Sequence, residues 1–226
     1  FKKSKIKMRD LIILIPALNE IKSLNKISKN LKAKNYKFLI ADDNSNDGSS
    51  IILKKKKINY FKNKKRLGYE GNLIKGIFYI LKKYKKCKYI LTMDGDGEHQ
   101  VGDIKKIYDI TVSRKYDATI GNRKIKNRFI ENFISIVFNY FYVLKDPLSG
   151  FKIYKTQYLN NHIKKVKNNL FLVDLIVNFL HDKYKVGHIR IKSKKRNGNP
   201  RVGSFFSINF KMYKILTYII IKKLLG

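Results

Sequence analysis

The chain has 226 residues, 44% of them hydrophobic and including 15 Tyr and 14 Phe, enough for one real core and too apolar for intrinsic disorder. Its formal charge of +35 at pH 7 raises nucleic acid, an anionic membrane or phosphorylated substrates as partners, against a plain excess of solvated lysine such as Lys54 to Lys57. A single cysteine, Cys87, excludes an intrachain disulfide and a thiolate zinc cluster, and it fits a reducing, cytoplasmic compartment.

In chain order, the first half alternates β-rich runs with helical stretches. Strands are predicted at Leu11–Ile15, Phe38–Ala41, Tyr89–Met93 and Ala118–Ile120, and helices at Ile21–Ala33, Ser49–Lys57, Tyr69–Tyr84 and Ile104–Ser113, with Asn19 and Asp47 as candidate N-caps. That alternation predicts an α/β fold around a parallel sheet with crossover helices. The second half reads as a helix near Phe133–Leu144, a strand at Gly150–Tyr154, a helix near Leu172–Asp182, an alternating strand at Val186–Lys192, a polar loop from Lys194 to Gly203 and a last helix. The expected division is a domain over 1–204 followed by an amphipathic helix over 205–226.

No run before Pro16 is long enough for a signal-peptide core, and no stretch reaches the ~20 apolar residues of a membrane span. The segment from Phe205 to Leu225, where Ile215 to Ile221 lies between lysines, suits either a bilayer interface or packing on the domain's own core.

The chain has only 16 acidic residues, and seven fall in three short stretches: Glu20; Asp42, Asp43 and Asp47; and Asp94, Asp96 and Glu98. Each stretch follows a predicted strand, and ligands of open α/β sheets bind beyond the carboxyl ends of strands. Asp94-Gly95-Asp96 offers two hard-oxygen donors with no His or Cys ligand, a set suited to Mg2+ or Mn2+ completed by a substrate's phosphates. Taken alone, the same three residues are also an ordinary Asp-Gly turn. Asp42 to Gly48 offers hydrogen-bond acceptors for a ribose or base, or simply a loop with a helix cap.

Four stretches in this order and spacing resemble the family 2 glycosyltransferases of GT-A fold: Ile15 to Glu20, Asp42 to Ser49, Gly68 to Gly76, and Met93 to His99. The resemblance implies a Rossmann-like, mostly parallel central sheet with helices on both faces. The second half resembles the polyprenyl-phosphate (dolichyl-phosphate-type) mannosyl- and glucosyltransferases, through Ile120-Gly121-Asn122-Arg123, Asp146-Pro147-Leu148-Ser149-Gly150-Phe151 and the loop Lys195 to Arg201. By that resemblance Pro16, Leu18, Asn19, Glu20 and Asp43 hold the nucleotide, with Asp94, Gly95 and Asp96 completing the nucleotide-sugar site. Asp94, Asp96 and Glu98 hold the metal, and Arg123, Arg128, Arg196 and Arg201 face phosphates of donor and acceptor. Glu98 departs from the family's usual Gln, Pro200 replaces a loop serine, and the segment between Arg123 and Asp146 is short.

The implied reaction is an inverting transfer from a nucleoside diphosphate sugar of GDP-mannose or UDP-glucose type, with Asp96 and Arg123 stabilising the leaving diphosphate. A hydroxyl acceptor on a polysaccharide or lipid-linked oligosaccharide would need a general base, for which Asp146 is the best remaining acid; it would equally serve to orient an arginine or cap a turn. A phosphate monoester is already ionised. The chain has no Trp, so the Gln-x-x-Arg-Trp motif of the processive and hydroxyl-directed branches is absent. Together with the basic second half and amphipathic tail, this favours a polyprenyl phosphate acceptor, with the protein peripheral on the inner face of an anionic membrane. Nucleic-acid binding explains the charge but not three clusters of scarce acids, which would repel a phosphate backbone.

Overall fold

The structure is a computed structural model describing residues 8–124, 126, 129–166, 170, 173–194 and 205–225, with 205–209 described for the backbone only. The elements in order are β1 (Leu11–Ala17), α1 (Ile21–Ala33), β2 (Phe38–Asp42), α2 (Ser49–Lys55), β3 (Tyr60–Lys62), α3 (Gly68–Lys83), β4 (Tyr89–Thr92) and α4 (Asp103–Ser113). They continue with β5 (Ala118–Arg123), α5 (Phe129–Tyr142), β6 (Lys152–Lys155), α6 (Thr156–Ile163), α7 (Val173–His181), β7 (Val186–Ile191) and α8 (Phe205–Leu225).

The strands form one seven-stranded sheet in the order β3-β2-β1-β4-β6-β5-β7. All neighbours are parallel except β6, which runs antiparallel to both β4 and β5. Because β1 is buried along its whole length, its side chains alternate between two cores. Ile12 and Leu14 join Leu73, Ile77 and Ile80 of α3 and Phe138 of α5 on one face, while Leu11, Ile13 and Ile15 meet Leu24 and Leu31 of α1 and Ile104 of α4 on the other. Helices thus cover both faces, as expected.

Four local expectations differ. β3 has three residues and α6 eight, both too short to leave a readable period. Gly150–Tyr154 reads as a strand, but its antiparallel direction is set by pairing with Thr92 and Ile120, which local pattern does not encode. Asn19 does not cap α1: it takes a left-handed φ of 53°, and the Ile21 N–H donates instead to Asp47 Oδ2 from the loop after β2. Asp47 Oδ1 accepts the Ser49 N–H, so one carboxylate ties the starts of both α1 and α2. Lys54 to Lys57 are solvated, as the plain reading of that charge run has it.

The C-terminal helix α8 packs on the domain's own core along one side and leaves apolar side chains exposed on another. Met212, Ile215 and Ile219 are buried in the core, and Phe210, Tyr213, Ile221, Leu224 and Leu225 are exposed. No described helix is long and apolar enough to cross a membrane.

A carboxylate site at the switch point of the sheet

Strand order reverses between β1 and β4: β2 lies on one side of β1 and β4 on the other. This is the position where open α/β sheets bind ligands. The end of β1 and the loop after it carry Pro16 to Glu20, and the loop after β4 carries Asp94 to Glu98, so two of the three acidic stretches are neighbours because of the topology. They touch at Gly95, where a Cβ would stand 2.9 Å from the Pro16 carbonyl oxygen. Only glycine lets the second loop approach the first this closely.

The third stretch is laced to the first. The Asn19 N–H donates to Ser45 Oγ at 2.9 Å, and Asn19 Oδ1 accepts the Asn46 N–H at 2.9 Å. Asp42 is fully buried at the end of β2 and accepts from the Ser45 N–H and Ser50 Oγ. Asp43 is committed to α3: its Oδ1 accepts from Asn63 Nδ2 and the Leu67 N–H, and its Oδ2 from the Gly68 N–H at 2.9 Å. Asp43 therefore clamps the start of α3, a heavier structural task than its sequence suggests.

Asp94 is held on three sides. Tyr69 of α3 donates its hydroxyl to Asp94 Oδ1 at 2.7 Å; burial and the Asp94 charge raise the phenol's pKa well above its ordinary value, so it remains a donor. His99 Nδ1 accepts the Asp94 backbone N–H at 3.2 Å. Burial pushes the imidazole down to about 4, leaving a neutral ring with its proton on Nε2, an atom with no acceptor among the described residues. On the third side the Asp94 carboxylate lies against Gly150, where a Cβ would stand 2.5 Å from Asp94 Cγ and closer still to both oxygens. Asp96 Oδ1 accepts the Glu98 N–H at 3.0 Å, so Asp96 shapes its own turn.

The donor set tests the expectation of a divalent metal. Asp94 and Asp96 present carboxylate oxygens at the strand end, and Gly150 preserves the space that one of them fills. Among the described residues no group of three His, Cys, Asp or Glu side chains converges tightly enough to enclose an ion. Glu98 is 6% exposed, and its carbonyl accepts the Lys194 N–H. The three-carboxylate set of Asp94, Asp96 and Glu98 is accordingly not preassembled. A two-carboxylate site that takes its remaining ligands from water and a substrate diphosphate fits these residues, and it fits the coordination habit of Mg2+ and Mn2+.

Next to it lies a buried ionic group. Arg123, at the end of β5, donates from Nε to Asp146 Oδ2 and from Nη2 to Asp146 Oδ1, each at 2.9 Å, and from Nη2 to Glu131 Oε2 of α5 at 3.1 Å. The Arg123 backbone N–H also donates to Asp146 Oδ2. Burial opposes ionisation of both partners, yet these bonds hold the Asp146 carboxyl below its ordinary range and the guanidinium pKa above its own. Asp146 is thereby an arginine-orienting carboxylate with both oxygens engaged, which corrects its candidacy as a base. Arg123 is 8% exposed and spends Nε and Nη2 on carboxylates, which gives it a structural role beside the site. Arg128, Arg196 and Arg201 lie outside the described residues.

Sequence reasoning missed Tyr69 and Lys152. Lys152 on β6 is fully buried; burial pulls its pKa down to about 8, against the opposing charges of Asp146 and Asp94. Neither residue carries a local signal, since each reaches the site only through strand and helix placement. The loop after β7 closes over the same region through a bridge between Ser193 and His99.

Comparison with known proteins agrees with this geometry. Residues 12–214 match the model of glycosyl transferase family 2. An uncharacterized protein of Methanocaldococcus jannaschii is 30% identical over 95% of this chain and 94% of its own length. UDP-N-acetylglucosamine–dolichyl-phosphate N-acetylglucosaminyltransferase of Methanococcus voltae is 23% identical over 89% of this chain and 92% of its own. Glucosyl-3-phosphoglycerate synthase from Mycobacterium tuberculosis, solved with Mn2+, UDP-glucose and phosphoglyceric acid, superposes with a TM-score of 0.71 at 11% identity, covering 95% of this chain and 80% of that one. The chain belongs to glycosyl transferase family 2 and is a nucleotide-sugar-dependent glycosyltransferase of GT-A fold.

Proposed function

We propose that the protein transfers a hexose, with inversion, from a nucleoside diphosphate sugar to a polyprenyl phosphate at the cytoplasmic surface of an anionic membrane. The observation that carries the acceptor is the state of Asp146. The acid best placed to serve as a base is locked on Arg123 and kept ionised below the ordinary carboxylate range, where it is a poor proton acceptor. A phosphate monoester has a second pKa of about 6 and attacks without one. The Methanococcus voltae relative, named for a dolichyl phosphate acceptor, supports the same reading.

In this reading the loops after β1 and β2 hold the nucleoside, and Asp94 and Asp96 hold Mg2+ or Mn2+ against the diphosphate; the chemistry that ion supplies is neutralisation of charge on the leaving group. Tyr69, His99 and Gly150 keep the Asp94 carboxylate in place. The Arg123–Asp146–Glu131 group fixes α5 beside the site.

Purified protein incubated with labelled GDP-mannose, UDP-glucose or UDP-N-acetylglucosamine, Mg2+ and undecaprenyl or dolichyl phosphate will yield lipid-extractable label that mild acid releases. A product stable to mild acid would place the acceptor oxygen on a hydroxyl. Absence of lipid-linked label with every donor would refute the proposed acceptor.

A further inference from the structure

We propose that the outward face of α5, continued by the outward face of α8, is the surface on which the protein docks to an anionic lipid bilayer. The sequence directs attention to the C-terminal helix alone; α5 emerges from the fold. Phe129, Phe133, Ile136, Tyr140 and Val143 recur at intervals of four, three, four and three, one stripe along the helix, and are 87%, 44%, 66%, 81% and 77% exposed. Of the thirteen large hydrophobic side chains exposed among the described residues, ten lie on or just after α5 and α8. Scattered exposed apolar residues need no explanation, but their concentration on two helices that pack against each other does.

Two observations choose the bilayer over a second copy of the chain. The chain carries a formal +35, which opposes self-association and favours an anionic partner. Basic side chains come with the second helix: α5 has no Lys or Arg of its own, whereas α8 carries Lys214, Lys222 and Lys223 and sets Lys223 against α5. Lys223 Nζ lies 5.6 Å over the Tyr142 ring of α5, and Lys214 Nζ lies 4.6 Å over Phe210. Aromatic and aliphatic residues entering the interface beside lysines that meet lipid phosphates is the pattern of a helix lying in the membrane plane.

The opposite face of α5 is fastened to the site. Glu131 accepts from Arg123, Ser135 Oγ accepts the Asp146 N–H at 3.0 Å, and Ile134 and Phe138 are buried in the core. Docking through α5 therefore sets the distance and tilt of the carboxylate site above the bilayer, which is what a lipid-borne acceptor requires. This deepens the membrane part of the proposed function, and its vesicle-binding readout needs neither donor nor acceptor.

The test is co-sedimentation with vesicles of phosphatidylcholine alone or mixed with phosphatidylglycerol. The wild type will pellet with the anionic vesicles, and Phe129→Gln/Ile136→Gln/Tyr140→Gln will lower partitioning about a hundredfold. Replacing Lys214, Lys222 and Lys223 by Gln will cost about fivefold per lysine on anionic vesicles only. Ile51→Gln, which removes an exposed apolar residue on α2, will change nothing, and every variant will keep its donor-induced thermal shift. Wild-type partitioning by the α5 variant, or no vesicle binding by the wild type, would overturn the proposal. So would a wild-type dimer that the α5 variant makes monomeric without altering vesicle binding. Glycosyl transfer in detergent with failed vesicle binding would sink this surface and leave the proposed reaction standing.

Discussion

Replacing Gly150 by Ala tests whether the position of the Asp94 carboxylate, and not merely its presence, makes the donor site. A Cβ at 150 would stand 2.5 Å from Asp94 Cγ, where carbon contacts settle near about 3.5 Å, so the carboxylate must retreat by roughly 1 Å. A displacement of that size costs about a hundredfold in a site that depends on placement. Overpacking should also cost about 1–3 kcal/mol of stability, a drop of several degrees in Tm for a chain of this length. The assay is metal-dependent donor binding and thermal melting of Gly150→Ala in the wild-type and Asp94→Ala backgrounds. With the carboxylate gone the added methyl has room, so the stability cost should largely vanish in the double variant. Undiminished donor binding by Gly150→Ala, or an equal stability cost in both backgrounds, would refute the reasoning.

Other consequences follow from neighbouring groups. Arg123→Met strands the Asp146 and Glu131 carboxylates in the interior and should cost about 3–5 kcal/mol, read as a Tm drop on the order of 10 °C; a drop below about 2 °C would contradict the buried pairing. Tyr69→Phe removes the hydroxyl from Asp94, costs about 1 kcal/mol in stability and weakens metal-dependent donor binding without abolishing it; unchanged binding would show that Asp94 needs no such anchor. His99 has a folded pKa near 4 against about 6.5 unfolded, so the unfolded state binds the extra proton first as pH falls. Its contribution is intact above about 6.5 and is lost as pH falls through 4, to a total of about 3 kcal/mol. Urea unfolding at pH 7 and pH 4.5 should therefore show a smaller acid loss in His99→Asn than in wild type, and identical losses would refute the buried neutral imidazole.

The sequence made the switch point legible because its signals are local. Asp94-Gly95-Asp96 follows a run of buried β residues, and the loop at Asp42 to Gly48 follows another. What it hid depends on contacts between distant segments. Asp43 reads as a free acceptor, yet its oxygens meet Asn63, Leu67 and Gly68, more than twenty positions away in each bond but one. Asp146 and Arg123 are 23 residues apart and read as separate chemical groups until β5 and the turn before β6 bring them together. The reversed direction of β6 is invisible to a pattern that registers only burial. The apolar stripe of α5 was hidden for another reason: a helix apolar on both faces reads as buried, and only its packing shows which face the core leaves uncovered.

The most direct test of the carboxylate site is thermal denaturation with GDP- and UDP-sugars, with and without Mn2+, for wild type and Asp96→Ala. A ligand that binds only the folded state at a hundred times its Kd adds about 2.7 kcal/mol, a rise of several degrees. The wild type should show that rise with at least one nucleotide sugar and only when Mn2+ is present, whereas Asp96→Ala should melt near the wild-type temperature alone and show no rise. Equal stabilisation of both proteins by the same donor and Mn2+ would contradict a diphosphate site built on Asp94 and Asp96.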